Sequence, residues 1–331
     1  MAAAPSAALP SAAGKAALDA CLKALDGGST GTLAVVLEVE GHGYSAPGTL
    51  VHVDAHGRRC GWISPGCLEA SIESAAADCL AEGEAALLRL DNRDLSDVFS
   101  GGAGCRGRLT ILLLPLPRLP GIQPLLAAFR SAHAPLQLSV QIGADADCRL
   151  QLRVADLDAR WTLPIRVDDQ SERPCVWQLR LAPLPRVLIC GGGPESSLLL
   201  PLLAAAGWRI DLVESRPAWS PLAALAEAHL PALPQAEAGT VYDAVLVMAH
   251  HFDYDRSALL ALASWPRLPW VGLLGPRQRR SDLLATLPAA ARAQLDGRLE
   301  SPAGLDLGGR GPAAIALSLA ARLQQLATAR T

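Results

Sequence analysis

The sequence predicts an α/β chain of two parts, an N-terminal mixed α+β domain followed by a Rossmann-like domain with a doubly wound parallel sheet. Three observations predict it. From Arg186 onward, apolar β-branched runs alternate with helix-period segments, the pattern that builds βαβ units. The first of those runs, Val187-Leu188-Ile189, leads through Cys190 into Gly191-Gly192-Gly193 at the head of a helical segment. Before that point strands and helices mix without regular alternation, and Pro183 and Pro185 stand at the junction, where proline marks a break between elements.

Taken in order, residues 16–25 carry a helical pattern that Gly27 and Gly28 break, and residues 32–39 follow as an apolar strand. A loop over 41–48 leads to strands at 49–53 and up to Ile63, then to a helix over 65–81. On that helix Leu68, Ile72, Ala75, Ala76 and Cys79 share one apolar stripe, which leaves Cys67 off the core face. Strands at 86–90 and 108–114 flank a glycine-rich loop. Prolines at 115, 117, 120 and 124 precede a helix over 125–132, and strand-like runs follow at 136–142, 149–154 and 176–181. The second part reads as strands at 186–190, 209–213, 244–247 and 270–274, with helices between and a closing helix over 312–327. The expected domains are a frayed tail over 1–15, an N-terminal domain over 16–120, a bridging lobe over 121–184 and the Rossmann-like domain over 185–331.

The chain has 331 residues, enough for two ordinary cores. Half of them are hydrophobic and 18% charged, as in a folded globule. A net charge of -3 gives no footprint for nucleic acid or an anionic membrane, and both are excluded as partners. No run approaches the roughly 18 apolar residues of a spanning helix. The N-terminal stretch lacks the basic and apolar regions of a secretory signal, so the chain reads as cytoplasmic. Its eight cysteines include no C-x-x-C pair and read as free thiols, which argues against structural zinc.

Four segments carry candidate chemistry. Gly191 and Gly193 sit where a dinucleotide fingerprint places glycines against a pyrophosphate, with Ser196 at the third-glycine position. Glu214 ends the next strand about 20 residues on, where an acid would hold a ribose hydroxyl. The alternative there is a Rossmann domain without a ligand. Ser64-Pro65-Gly66-Cys67-Leu68-Glu69 reads as a helix start with Ser64 as N-cap. In a first turn the helix dipole favours Cys67 as thiolate, a better nucleophile and soft-metal ligand, although a small buried residue is the competing reading. Ser100 to Gly107 combines four glycines with Cys105, able to form an anion-binding nest or simply to connect two strands. His250 follows a parallel strand and faces the crevice at the strand ends, while Asp253 or Asp255 caps the next helix. Gly272, Gly275 and Asp306 lie in two later glycine-containing turns whose plain reading is loop geometry.

These segments, in this order, resemble the XdhC/CoxI family. Ser64 to Glu69 is similar to its SGGCLE-type motif, Gly104-Cys105-Arg106-Gly107 to its GC-x-G loop, Gly272 to Arg277 to its GLLGSR, and Pro302 to Gly308 to its P-x-GLDIG. His250 falls at the His of a Thr-His-Asp/Asn segment. The departures are Ser45 for a frequent arginine, Pro65 for a glycine, Ala249 for a threonine, and Gly193-Pro194 for Gly-His. The resemblance implies a non-catalytic accessory protein. It would bind molybdenum cofactor, as molybdopterin or a dinucleotide form, protect it during sulfuration, and pass it to a molybdenum hydroxylase of the xanthine dehydrogenase type. A cysteine desulfurase is then a second partner, and a homodimer stays open. Cofactor contacts would come from Cys67, Glu69, Gly104, Cys105, Gly107, Gly191, Gly193, Glu214, His250, Gly272, Gly275 and Asp306, with Cys67 and Cys105 facing the molybdenum. The competing reading is an NAD(P)-dependent oxidoreductase with His250 as acid or base.

Overall fold

The computed structural model describes residues 7–8, 12–41, 43–91, 107–167, 174–234 and 241–328. The chain divides into two compact units, residues 1–184 and 185–330. Most of the tail expected over 1–15 lies outside the described residues, as do Gly104 and Cys105.

In the first unit the elements run β1 (Ala7–Ala8), α1 (Ala12–Asp26), β2 (Gly31–Gly41), β3 (Leu50–Asp54), β4 (Arg59–Cys60), α2 (Glu69–Glu82), β5 (Ala85–Asp91) and β6 (Gly107–Pro115). They continue with α3 (Ile122–Ser131), β7 (Leu136–Ile142), β8 (Asp147–Val154), β9 (Leu157–Val167) and β10 (Cys175–Leu181). All ten strands form one sheet, ordered β1-β10-β7-β8-β9-β5-β6-β2-β3-β4. Strand β9 makes this possible. Residues 157–164 of it pair antiparallel with β8, while Ile165 to Val167 pair parallel with Ala85 to Leu87 of β5. The segments expected as a separate lobe therefore belong to the same sheet. The sequence hides β9 because Asp158, Arg160 and Pro164 interrupt its apolar pattern, although Pro164 lies near the crossover from one partner to the next.

The central strands are buried on both faces, which explains their continuous apolar runs. One face of β2, β5 and β6 packs Leu33, Val35, Leu87 and Leu112 with Ile122 and Phe129 of α3 and the alternating inward residues of β7 and β8. The other face packs Ala34, Val36, Leu88 and Ile111 against Ile72, Ala76 and Cys79 of α2. Each fully buried aliphatic side chain contributes roughly 1.5–3 kcal/mol relative to exposure. This double burial holds β2, β5 and β6 in place between helices.

The second unit contains β11 (Arg186–Cys190), α4 (Ser196–Ala205), β12 (Arg209–Val213), a 3₁₀ segment (Pro217–Leu225), β13 (Ala228–Leu230), β14 (Ala244–Val247) and α5 (Phe252–Leu262). It ends with β15 (Trp270–Leu273), α6 (Arg277–Ala285), α7 (Ala289–Leu295), β16 (Leu299–Glu300) and α8 (Pro312–Thr328). Its six strands are parallel in the order β13-β12-β11-β14-β15-β16. Counted along the chain this is 3-2-1-4-5-6, the dinucleotide fold, whose order reverses between β11 and β14. Helices α4 and α8 cover one face, and α5, α6 and α7 the other. Pro217 and Pro221 deny the β12–β13 connection a regular α-helix, and a 3₁₀ segment takes its place.

Candidate functional site

Two turns concentrate the candidate side chains, one in each unit. In the first, helix α2 begins at Glu69 rather than at Pro65, with Leu68 as its N-cap residue. Ser64 is not the cap. Gly66 adopts φ +123°, a backbone that cannot continue an α-helix and that side-chain-bearing residues rarely adopt. The helix therefore starts only after this turn, and Cys67 stands two residues ahead of it. Glu69, 5% exposed, folds back into the turn. Its Oε1 accepts the Ser64 N–H at 2.8 Å, and its Oε2 accepts the Leu68 N–H at 3.2 Å and the Ser64 hydroxyl. Ser64 Oγ in turn accepts the N–H groups of Leu68 at 3.0 Å and Gly66 at 3.2 Å. Burial raises the Glu69 pKa, but these bonds from Ser64 and the turn, with Arg59 nearby, outweigh it and hold the carboxyl below its ordinary range.

Arg59 braces the turn from β4. Its guanidinium bonds Glu73 at 3.1 Å and the Gly61 carbonyl at 3.2 Å, and lies 4.0 Å from the ring centroid of the half-exposed Trp62. Cys67 is exposed, with Sγ 3.5 Å from Ser64 Oγ. Among the described cysteines it is the exposed one; Cys21, Cys79, Cys148 and Cys190 are buried, and Cys60 and Cys175 partly so. Burial pushes the thiols of Cys21, Cys79 and Cys148 up to about 12. The turn thus presents an accessible sulfur on a rigid frame, which suits a soft metal or an electrophile.

The second turn joins β11 to α4. Gly191, at φ +91°, packs so closely on the β14 loop that a Cβ would lie 2.4 Å from Ala249 Cα. This glycine is required by contact and conformation together. The amides of all three glycines are already bonded. Gly191 donates to Val213 O at 2.8 Å, Gly192 to Glu214 Oε2 at 2.5 Å, and Gly193 to the buried Ser196 Oγ at 3.1 Å. Pro194 has no N–H.

Glu214 is likewise engaged. Arg216 donates its backbone N–H at 2.7 Å and its Nε at 2.9 Å to Oε1, and its Nη2 at 2.7 Å to Oε2. The same guanidinium caps the Ala249 carbonyl at 2.8 Å and the Gly192 carbonyl at 2.7 Å. Burial opposes ionisation of Glu214, yet the bonds from Arg216 and Gly192 keep its pKa lowered, and the carboxylate raises that of Arg216. His250, at φ +56° and half-exposed, sets Nε2 3.1 Å from Glu195 Oε1. The other Glu195 oxygen is buried without a partner.

A profile described as the XdhC Rossmann domain matches residues 187–323, and one for the XdhC and CoxI family matches residues 24–91. The chain belongs to the XdhC/CoxI family. A curated relative, described as a probable xanthine dehydrogenase subunit of Bacillus subtilis (strain 168), is 25% identical over 315 residues, 88% of this chain and 92% of its own. A crystal structure of a xanthine dehydrogenase from Bacillus halodurans superposes with a TM-score of 0.74 at 22% identity, over 95% of this chain and 97% of that one, and it shares the fold.

In this XdhC/CoxI chain the remaining candidates take varied places. Gly107 is the first residue of β6 and pairs with Gly41. Gly272 lies inside β15, not in a turn, where a Cβ would meet Ala303 and Leu246 at 2.8 Å. Gly275 follows that strand at φ +141°, its carbonyl bonded by Ser301 Oγ at 2.8 Å. Asp306 is exposed. The residue before α5 is His251, with no side-chain cap. Asp255 reaches back to the Ala249 N–H at 3.2 Å and pairs with Arg279 at 2.6 Å, so neither aspartate is the cap expected from sequence. Arg216 and Glu195 escaped the sequence reading. The one signal for them was Arg216 standing two residues beyond the strand-ending acid, a place where Rossmann domains use basic residues near the ribose.

Proposed function

We propose that this protein is an accessory factor for a molybdenum hydroxylase of the xanthine dehydrogenase type, binding molybdenum cofactor as cargo and handing it on rather than turning over a substrate. The observation that carries this reading is Cys67, an exposed thiol on a turn fixed by the buried Ser64–Glu69 pair. Thiolate is a soft ligand suited to a molybdenum centre. A pre-set turn also lowers the ordering cost of gripping it. Cys105 and its glycine-rich loop would supply the second contact. Family membership and the relative named for xanthine dehydrogenase support the choice of partner, and a cysteine desulfurase would supply sulfur to the held cofactor. Its action would take place in the cytoplasm, where thiols stay reduced. Among the described residues, no helix is long and apolar enough to cross a membrane.

The glycine turn supports this over a nicotinamide-dependent reaction. Its three amides are already bonded internally, so the pyrophosphate of a dinucleotide would have to break those bonds before it was clamped. The test is metal and pterin analysis of chain purified without oxygen from cells making the cofactor. Wild type should carry molybdenum and pterin, and the Cys67→Ala, Cys105→Ala double variant should lose at least tenfold of both. Full retention by the double variant, or hydride transfer from a reduced nicotinamide to a carbonyl substrate, overturns the reading.

A further inference from the structure

We infer that the second unit holds a nucleoside monophosphate site in which Arg216 serves as a displaceable plug. A cavity of about 270 Å³ opens beside Glu214 and Arg216, walled by Val213, Pro231, Leu233 and Ala258, with Tyr254, Ser257 and Asp255 also lining it, the last paired to Arg279 at 2.6 Å. Its volume is slightly below the roughly 300 Å³ where pockets for drug-sized ligands begin, which fits one flat base and a sugar but not an extended dinucleotide. The apolar walls suit a heteroaromatic base. The cavity lies at the carboxyl ends of β11, β12 and β14, where open α/β sheets bind ligands.

The polar groups are arranged to resist a neutral nucleoside. Both Glu214 oxygens accept two bonds each, and the Arg216 guanidinium fills the space between that carboxylate and the carbonyls of Gly192 and Ala249. Sugar hydroxyls could donate to Glu214 only after the guanidinium moves. A ligand shifts such an element only through its preference for one state. A phosphate supplies that preference, because the planar fork of arginine pairs with phosphate oxygens as it does with a carboxylate. Arg216 is the partly exposed member of the pair, its side chain 26% exposed against 2% for Glu214, so the guanidinium can leave the carboxylate on its solvent side, giving up its position over the Tyr254 ring at 6.0 Å. When it swings onto the phosphate, Glu214 keeps the Gly192 and Arg216 backbone donors and frees one acceptor site on each oxygen for the ribose.

The inference rests on the second unit alone and stands apart from the cargo reading, so failure of either leaves the other open. Calorimetry of the full-length protein with AMP, GMP, CMP, adenosine and inorganic phosphate tests it. At least one monophosphate should bind wild type, and AMP should bind at least tenfold more tightly than adenosine. Arg216→Ala should reverse that order, gaining tenfold for adenosine because Glu214 is open from the start and losing AMP because the carboxylate then faces the phosphate unshielded. Arg216→Lys, which keeps the charge, should preserve the preference for AMP. Absence of binding by every monophosphate, equal affinity of wild type for AMP and adenosine, or inorganic phosphate binding as tightly as AMP overturns the inference, and the wild-type comparisons suffice if Arg216→Ala does not fold.

Discussion

Replacing Glu69 by alanine tests the frame that presents Cys67. Three donors lose an acceptor: the Ser64 N–H at 2.8 Å, the Ser64 hydroxyl, and the Leu68 N–H at 3.2 Å. Leu68 keeps Ser64 Oγ as a partner at 3.0 Å, so its loss is partial. Arg59 keeps Glu73 at 3.1 Å and gives up only a 4.0 Å approach to Glu69. The main loss is one charge-assisted bond and a backbone donor left buried, together about 3 kcal/mol once non-additivity is allowed for. Glutamine retains one acceptor but turns an amide NH₂ toward Ser64, for a loss of roughly 1–2 kcal/mol. Urea unfolding followed by tryptophan fluorescence measures both, since Trp62 sits against Arg59 beside the turn. An alanine variant within about 0.5 kcal/mol of wild type, the usual range for an inconsequential surface change, would refute the claim that Glu69 holds this turn together.

Gly191→Ala should be among the most destabilising single changes, about 4 kcal/mol, because its Cβ would fall 2.4 Å from Ala249 Cα at φ +91°; Gly66→Ala, strained at φ +123° but with nothing within 4 Å, should lose only about 1–2 kcal/mol in the same assay. Iodoacetamide at mildly alkaline pH with peptide mass mapping should label Cys67 well before Cys21, Cys79 and Cys148, whose thiols burial raises to about 12; the opposite order would show that the turn does not present its sulfur. His52 should titrate below the ordinary histidine range by NMR, because burial disfavours its charged form more strongly than Asp54 favours it. The neutral ring then contributes stability that is full above pH about 6.5 and is lost as pH falls toward its folded pKa, since the unfolded chain takes up the proton first. A folded midpoint above about 6.5 contradicts this.

Much of the architecture was legible because the strands concerned are buried on both faces. Val187 to Ile189 and Val245 to Val247 need apolar side chains at every position, and such runs survive in the sequence without any knowledge of their partners. Strand β9 does not announce itself in that way. It changes partner and direction of pairing midway, so its charged residues and Pro164 are tolerated by a position that only the assembled sheet defines.

What the residues determine alone is the family, the parallel sheet and the two glycine-bearing turns, because these depend on short-range pattern and backbone freedom. Tertiary structure decides what those turns offer. Gly66 and the returning Glu69 carboxylate set Cys67 ahead of its helix, and Arg216, brought back from beyond β12, occupies the acid that the pattern had left for a ribose. A motif fixes where donors and acceptors stand in the chain. Which of them remain open to a ligand depends on side chains that folding delivers from elsewhere, since a buried hydrogen-bonding group takes a partner within the protein wherever one is in reach.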